Sequence, residues 1–574
     1  MNRPNDELNS ASAGGENLCR SPRGRAFQLA ALGLTLVSLL VGTGLVYLLK
    51  KGEVEGSGIP ARLFQGWPKP DFVILLSAQQ HGYMLPCGCS FPQMGGLERR
   101  YNFIQLLKAR GWPVVAVDLG DVVQKRGLAH LHNVQGLIKY RYSMMALKEM
   151  GYLAVGIGEN EAASSSWPLA SIEGEWAANS AQPAVLAANI RDAETKFPLL
   201  KPFETQIVPG ANVKVGVTSI IGPTVEEKIK DPSVKIARSV NSLREQLLKM
   251  RGEKVELPIL LYHGTTTGRQ EALRCAEFFP DFPIILALSE EDESPAYPIS
   301  VKDPKSGRTN YVFCLGNKGK SIGVVGVYRN GPNYSFKYQL VDVGIEYVTP
   351  PEKEAAQPIM KMMEDYTREL KDKDYLKRYG QIKHNLQAMD PVPGLRKPGD
   401  GVPHYIGSDE CASCHRHAYE VWSASRHSHA YQTLVDAKHP SLRQYDGECI
   451  LCHTVGFGYK TGFANEKDTP ELINVGCESC HGPGSLHAEN PKNQEWRDRM
   501  NLPWLEARKN GNAQAKNLAI EMQLCVTCHD TDNDVNWVHK KEKDPITGKE
   551  VEKDPFFEKW VKGQIIHNNP PKKN

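Results

Sequence analysis

The sequence predicts a multidomain chain: a single N-terminal transmembrane helix, then an α/β portion, then a mostly α-helical or irregular C-terminal portion. Three observations predict it. An uncharged run of 24 residues spans Ala26–Leu49. Short apolar runs alternate with helical stretches from Pro70 to Val348. Eight of the 13 Cys and twelve of the 17 His fall between Gly401 and Asn574. At 574 residues the chain is too long for one hydrophobic core. The expected parts are a cytoplasmic tail at 1–25, a membrane span at 26–49, a linker at 50–69, an α/β domain at 70–348, a helical linker at 349–400 and a C-terminal domain at 401–574.

The span comes first. Its 24 uncharged residues suffice to cross a hydrocarbon core of about 30 Å at about 1.5 Å per residue. A signal-peptide core is shorter, about 7–15 residues, and ends at a small-residue cleavage site. Here the run is longer and Lys50-Lys51 follows it directly, which points to an uncleaved signal anchor. Arg20, Arg23 and Arg25 before it and Lys50 and Lys51 after it give only a weak orienting bias. The formal charge is +3, so the balance gives no reason to expect a nucleic-acid partner. Cys19 precedes the span and is expected to be inert.

The α/β expectation rests on the apolar runs Phe72–Leu76, Val114–Val117, Val213–Val217, Ile259–Tyr262, Phe282–Leu286 and Ile322–Val327. Near-continuous apolar strands between helices suggest a sheet covered on both faces. Several strands end in polar clusters: Gln79-Gln80-His81-Gly82, Asp118-Leu119-Gly120-Asp121, Gly158-Glu159-Asn160-Glu161, Ala188-Asn189 and His263-Gly264. Strand ends are where α/β folds place their sites.

The order of these clusters resembles the calcineurin-like metallophosphoesterases, the 5′-nucleotidase branch in particular. The resemblance implies an α/β sandwich with a two-metal hydrolytic site. The departures from the family pattern are large. His81 is kept, but Gln79 stands where the family has Asp. Asp121 is kept, the Asn-His pair reads Glu159-Asn160, His263 fits the next motif, and Ala287-Leu288-Ser289-Glu290 lacks the last His. A retained fold used for binding or docking is therefore expected, with a degenerate divalent-metal site at His81, Asp121 and His263. Cys87 and Cys89 sit beside that site. They read equally as a disulfide or as thiolate ligands joining it. Cys275 and Cys314 read as core thiols or one disulfide.

Glu53–Pro70 reads as a spacer. Glu352–Asn385, rich in Lys, Glu, Met and Leu, reads as a helix. Pro391–Pro403 reads as the joint to the last domain.

In that domain C-x-x-C-H occurs four times, at Cys411/Cys414/His415, Cys449/Cys452/His453, Cys477/Cys480/His481 and Cys525/Cys528/His529. Two thiols at this spacing add across the two vinyl groups of one haem, and the adjoining His is held beneath the iron as proximal ligand. A zinc site would need these residues grouped in fours, with no reason for His to follow every pair. Four covalent haems c are expected. Haem of this kind is attached outside the bacterial cytoplasmic membrane, which orients the span: residues 50–574 are expected in the periplasm. Little regular structure is expected around so much cofactor, and without haem the segment should not fold.

Eight further His remain there: His404, His417, His427, His429, His439, His487, His539 and His567. The stretch Tyr405–His415 with Trp422 and Ser425-Arg426-His427 resembles the tetrahaem cytochrome c-554 family. So does Asn474–Gly484 with His487. The resemblance implies mostly bis-His, low-potential haems in close pairs, with His427, His487 and His567 as distal ligands and one iron lacking a sixth protein ligand. The function implied is electron transfer with periplasmic or membrane redox partners. The alternatives are a phosphoester hydrolase in the middle domain, or reduction of a small nitrogen or sulfur compound at an open haem.

Overall fold

The structure is a computed structural model. It describes residues 58–86, 92–177, 182–264, 268–289, 294–316, 318–388, 401–501, 524–530, 533–534, 540–543 and 550–553. Ala61–Asn574 form one compact unit and Met1–Pro60 another. The expected span Ala26–Leu49 and the joint at 391–400 lie outside the described residues. Among the described residues no helix is long and apolar enough to cross a membrane.

The apolar runs form two six-stranded sheets. In chain order the strands are β1 (Phe72–Ser77), β2 (Val114–Asp118), β3 (Tyr152–Gly156), β4 (Ala184–Leu186), β5 (Ile190–Asp192), β6 (Phe203–Ile207) and β7 (Lys214–Ile221). They continue with β8 (Val234–Ile236), β9 (Leu257–His263), β10 (Ile284–Leu288), β11 (Ile299–Lys302), β12 (Thr309–Leu315), β13 (Ser321–Asn330) and β14 (Asn333–Asp342). The first sheet runs β14-β13-β1-β2-β3-β4 and the second β11-β12-β10-β9-β7-β6. The central pairs, β1–β2–β3–β4 and β7–β9–β10–β12, are parallel, and β14, β13, β6 and β11 close the edges antiparallel.

Alternation explains why so many strand residues are apolar. Ile259, Leu261, Ile284 and Leu286 point into the core between the sheets with Phe72, Ile74, Val115, Val117 and Val325. Their neighbours Leu260, Tyr262, Ile285 and Ala287 face the other way and pack with Leu243, Leu247, Ala272 and Ala276. Those last four lie on helices Ser239–Gly252 and Gly268–Phe278. The expected α/β sandwich is thus observed, as two sheets rather than one. Cys275 and Cys314 are not joined in a disulfide, and Cys314 is buried.

Three helices set up the rest: α1 (Leu97–Ala109), α2 (Gly136–Met150) and, in the linker, α3 (Pro358–Asp372). The expected continuous helix over 352–385 is broken. A 3-10 turn covers Pro351–Ala356, the side chain of Gln357 caps a new helix at Met360 N, and Pro358 occupies its first turn. Asp374 takes a left-handed conformation (φ 48°), and a second 3-10 turn follows at Tyr375–Arg378. Proline fixes the start and the left-handed residue fixes the end.

The C-terminal portion consists of short helices: Ser408–Ala412, Arg416–Ser423, Ala430–Val435, Gly447–His453, Cys477–His481, Ser485–Glu489 and Gln494–Met500. The segment from Trp422 to Ala430 is not one helix. It stops at Ser423 and passes through a 3-10 turn at Arg426–His429. This portion's apolar core, including Tyr405, Tyr431, Ile450, Val455 and Phe463, also takes in Leu131 of the α/β portion and Tyr379 of the linker.

Candidate functional site

Each C-x-x-C-H segment sits on a helical turn. Gly447–His453 and Cys477–His481 are α-helical, Cys411 lies in a short helix with His415 just beyond it, and Cys525–Thr527 is a 3-10 turn. Helical turns bring the two sulfurs and the following imidazole onto one side of the chain.

Three of the four motif imidazoles are oriented by bonds at Nδ1. His453 Nδ1 lies 2.5 Å from the Ala430 carbonyl, His481 Nδ1 3.1 Å from the Met500 carbonyl, and His529 Nδ1 3.1 Å from Asp534 Oδ2. A bond at Nδ1 leaves Nε2 for a metal and fixes the ring's plane.

Two predicted distal residues face two predicted proximal ones. The His415 and His487 rings are 6.0 Å apart between centroids, and the His427 and His529 rings 6.3 Å. An ion held between two ring nitrogens at about 2 Å each, with each nitrogen about 1 Å from its ring centre, would put the centroids about 6 Å apart. The Nδ1 of His487 is buried and makes no hydrogen bond to the described residues. Burial pushes the His427 ring down to about 4, with the neighbouring His529 adding to the shift, so it is neutral and able to donate a lone pair. The residues therefore fit iron between paired imidazoles. The expected ligand His567 lies outside the described residues. His439 is engaged elsewhere, with Nε2 3.0 Å from Glu354.

The sulfurs also group. The Cys411 and Cys477 thiols lie close enough to perturb one another, as do those of Cys452 and Cys528. The first motif thus lies against the third, and the second against the fourth.

Several residues that sequence reasoning passed over hold these turns. Glu478, inside the third motif, accepts from the backbone N–H groups of Ile406 (3.0 Å), Gly407 (2.8 Å) and Gly484 (2.7 Å). Asp446 and Glu448 precede the second motif and reach the α/β portion. Gln135 Nε2 donates to Asp446 Oδ1 at 3.0 Å, Gln135 Oε1 accepts from Gly447 N at 3.1 Å, and Gln124 Nε2 donates to Glu448 Oε1 at 2.8 Å. The buried Lys139 pairs with Glu448. Tyr366 of α3 joins at Asp446 (3.3 Å) and Gln135 (2.6 Å). A carboxylate inside or next to a Cys-x-x-Cys-His motif was the available signal.

At the strand ends, Ser77 and Asp118 are register partners, so the loops after β1 and β2 run together. Gln79 N donates to Gly120 O (2.9 Å), His81 N to Asp121 O (2.8 Å) and Gly82 N to Val122 O (2.9 Å). Gln79, His81 and Asp121 all have left-handed backbones, φ 53°, 49° and 59°. Non-glycine residues held this way are concentrated at functional sites.

Asp121 is enclosed. His263 Nε2 donates to its Oδ2 at 2.9 Å, His81 Nε2 is 3.8 Å from the same atom, and Asn160 N donates to Oδ1 at 2.7 Å. Burial works against its charge, but His263 and His81 outweigh burial and hold the carboxyl well below its usual range. Glu161 accepts from the N–H groups of Asp121, Val123 and Gly158 at 3.0, 2.9 and 3.0 Å. Glu159 pairs with Lys125 and Lys228. Both oxygens of Asp121 thus face protein donors, which does not fit a residue bridging two ions. Among the described residues no group of three or more His, Cys, Asp or Glu could hold a metal. Cys87, Cys89 and Glu290 lie outside the described residues.

The two regions meet. An open cleft is lined by His81 and Tyr83 of the first loop, by Tyr366 of α3, and by Arg443, Cys452 and His453 of the second motif region.

Residues 410–482, which contain the first three motifs, match the family model for cytochrome c554 and c-prime. Cytochrome c-554 of Nitrosomonas europaea is 38% identical over 91 residues, 14% of this chain and 39% of that protein. The matched stretch thus spans about two fifths of the length of that curated relative. Among solved structures, a 5′-nucleotidase precursor of Thermus thermophilus aligns with TM-score 0.43 and 19% identity over 52% of this chain and 59% of its own. The sulfate thiohydrolase of Thermus thermophilus aligns at 0.42 and 15%, over 53% and 62% of the two chains. The calcineurin-like phosphoesterase YfkN of Bacillus subtilis aligns at 0.39 and 17%, over 52% and 97%.

Proposed function

We propose that this chain is a membrane-anchored, periplasm-facing c-type cytochrome that carries four covalent haems and passes electrons between redox partners. Cys411, Cys414, Cys449, Cys452, Cys477, Cys480, Cys525 and Cys528 form the thioethers. His415, His453, His481 and His529 bind iron from the proximal side. The observation that carries the reading is the pair of imidazole couples at 6.0 and 6.3 Å, each joining a C-x-x-C-H histidine to a predicted distal one. His487 then completes the first haem and His427 the fourth, and His567 serves one of the other two. Bound haem supplies the redox couple. The protein's own groups set its surroundings: the Asp534 carboxylate at His529 increases that ligand's donor strength, while backbone carbonyls at His453 and His481 do so less. The sulfur proximities support pairing of the first haem with the third and of the second with the fourth. The span at Ala26–Leu49 keeps the relay at the membrane, and the α/β portion acts as a binding or docking body rather than a hydrolase.

A pyridine haemochrome assay on protein matured with a haem-attachment system tests this. Four haems per chain are expected. Colourless protein, or zinc at the eight sulfurs, would refute it. His487→Ala should convert one low-spin ferric signal to high-spin by electron paramagnetic resonance and leave the His427 couple low-spin.

A further inference from the structure

We infer that Asp446 is a proton-uptake site coupled to the haem of the second motif, its carboxylate taking a proton from the cleft as that haem is reduced. The inference rests on the haem reading above. Asp446 and Glu448 line the same open cleft as Cys449, Cys452 and His453, so the carboxyl lies between the haem's anchoring residues and solvent. Cys449 N donates to the Asp446 carbonyl at 3.0 Å, which ties the first anchor to this residue.

The buried seam is short of positive charge. It holds one ammonium, Lys139, against two carboxylates, Asp446 and Glu448. Lys139 pairs with Glu448, which also accepts from Gln124 Nε2 at 2.8 Å. Among the described residues the hydrogen-bond donors to Asp446 are all neutral. Oδ1 accepts from Gln135 Nε2 at 3.0 Å and Glu448 N at 2.9 Å, and Oδ2 accepts only the longer bond from Tyr366 OH, at 3.3 Å. Of two like charges sharing one cation, one is driven towards its protonated form. Burial raises the Asp446 carboxyl above its usual range and Glu448 adds to this, while Lys139 and Gln135 oppose it.

The other groups around Asp446 do not take its place. Burial holds the phenols of Tyr366 on α3 and of Tyr379 in their protonated form. Glu364 of α3 is turned to Ser441, whose N–H it accepts at 2.8 Å, and Arg443 stands on the cleft in the preceding turn. The step balances. One electron from the relay's donor reduces ferric to ferrous iron, one proton from solvent forms an O–H bond at Asp446 Oδ2, and no bond breaks. An added electron favours the proton, and a bound proton favours the electron by the same amount.

The test is a spectroelectrochemical titration of the full haem-loaded chain from acid to alkaline pH. One of the four potentials should fall as pH rises, by up to about 59 mV for each tenfold drop in proton activity, the one-electron equivalent of that factor. Asp446→Asn, a neutral mimic of the protonated acid, should remove the slope and hold that potential at its acid value, above the unaltered chain at alkaline pH. Tyr366→Phe, which deletes one donor to the carboxylate, should keep the slope and move it to higher pH. An unchanged slope in a four-haem Asp446→Asn chain would place the proton elsewhere, for instance on a haem propionate, and overturn the inference. Four pH-independent potentials in the unaltered chain would overturn it too and leave the electron relay standing. If Asp446→Asn fails to load four haems, Tyr366→Phe decides, and a slope left at its original pH overturns the inference. Fewer than four haems in the unaltered chain would count against the haem reading instead.

Discussion

Lys139 carries a buried positive charge from α2 to Glu448, one residue before Cys449. Burial alone would lower its pKa, but Glu448 and Asp446 outweigh burial and raise it. Breaking a buried pair from one side leaves an unpaired charge in a poorly solvated place. Lys139→Met should therefore cost about 3 kcal/mol in urea unfolding. Adding Glu448→Gln should recover part of that, and strict additivity of the two losses would show that they do not interact. Glu173 shows the opposite sign of linkage. Its Oε1 is buried without a hydrogen bond to the described residues, and burial, aided by Glu161, pushes its carboxyl up to about 8. An unfolded Glu titrates near 4.3. A raised folded value means that stability is fully present below about pH 4 and is lost as pH rises towards 8. Glu173→Gln should leave unfolding at pH 4 nearly unchanged and add on the order of 4 kcal/mol at pH 8. No gain at pH 8 would mean that Glu173 is ionised and solvated in the native state.

The strand-end loops are elements whose shape depends on one residue. Gly120 has φ 116°, and a Cβ there would lie 2.6 Å from both Gly156 O and Gly158 N. Those atoms are backbone, so they cannot swing aside, and the left-handed conformation adds strain. Gly120→Ala should lower the melting temperature by several degrees and separate the 79–82 loop from 120–122; a crystal structure or an unchanged melting curve would decide. Sequence made the sheets legible because Phe72–Leu76 or Ile284–Leu286 are buried on both faces and so read as unbroken apolar runs. The motif turns were legible because thioether chemistry dictates their spacing. Gln135 and Lys139 were not. Gln135 just precedes α2 and Lys139 lies in its first turns, and periodicity cannot tell that a segment some 300 positions later covers them. The helix expected over 352–385 failed for a local reason, Pro358 with its Gln357 cap, which composition alone obscured. Asp121 was legible as a site residue, but its direct bond to His263 was not, since the spacing that suits a shared ion also suits an ion pair.

At the scale of the molecule, the α/β and C-terminal portions share a core and a buried polar seam. Leu131 and Tyr379 pack with Tyr431, Ile450 and Phe463, and Tyr366, Gln135 and Asp446 form a closed network beside them. The two portions do not depend equally on this contact. The α/β sandwich buries two apolar layers of its own. The C-terminal helices in the described residues run only five to eight residues, far below the length at which a helix holds itself in water. They need apolar surface from elsewhere, and porphyrin would supply it. Chain produced without haem attachment should therefore come apart in one direction. Limited proteolysis read by mass spectrometry should digest residues beyond about 400 while leaving a resistant fragment that begins near Ala61 and includes α3. The haem-loaded chain should resist as one body. Equal resistance of the C-terminal portion with and without haem would mean that protein packing alone sustains it, and the cofactor would lose its structural role while keeping its redox one. Loss of both portions together would place the shared seam, rather than the porphyrin, at the root of the molecule's stability.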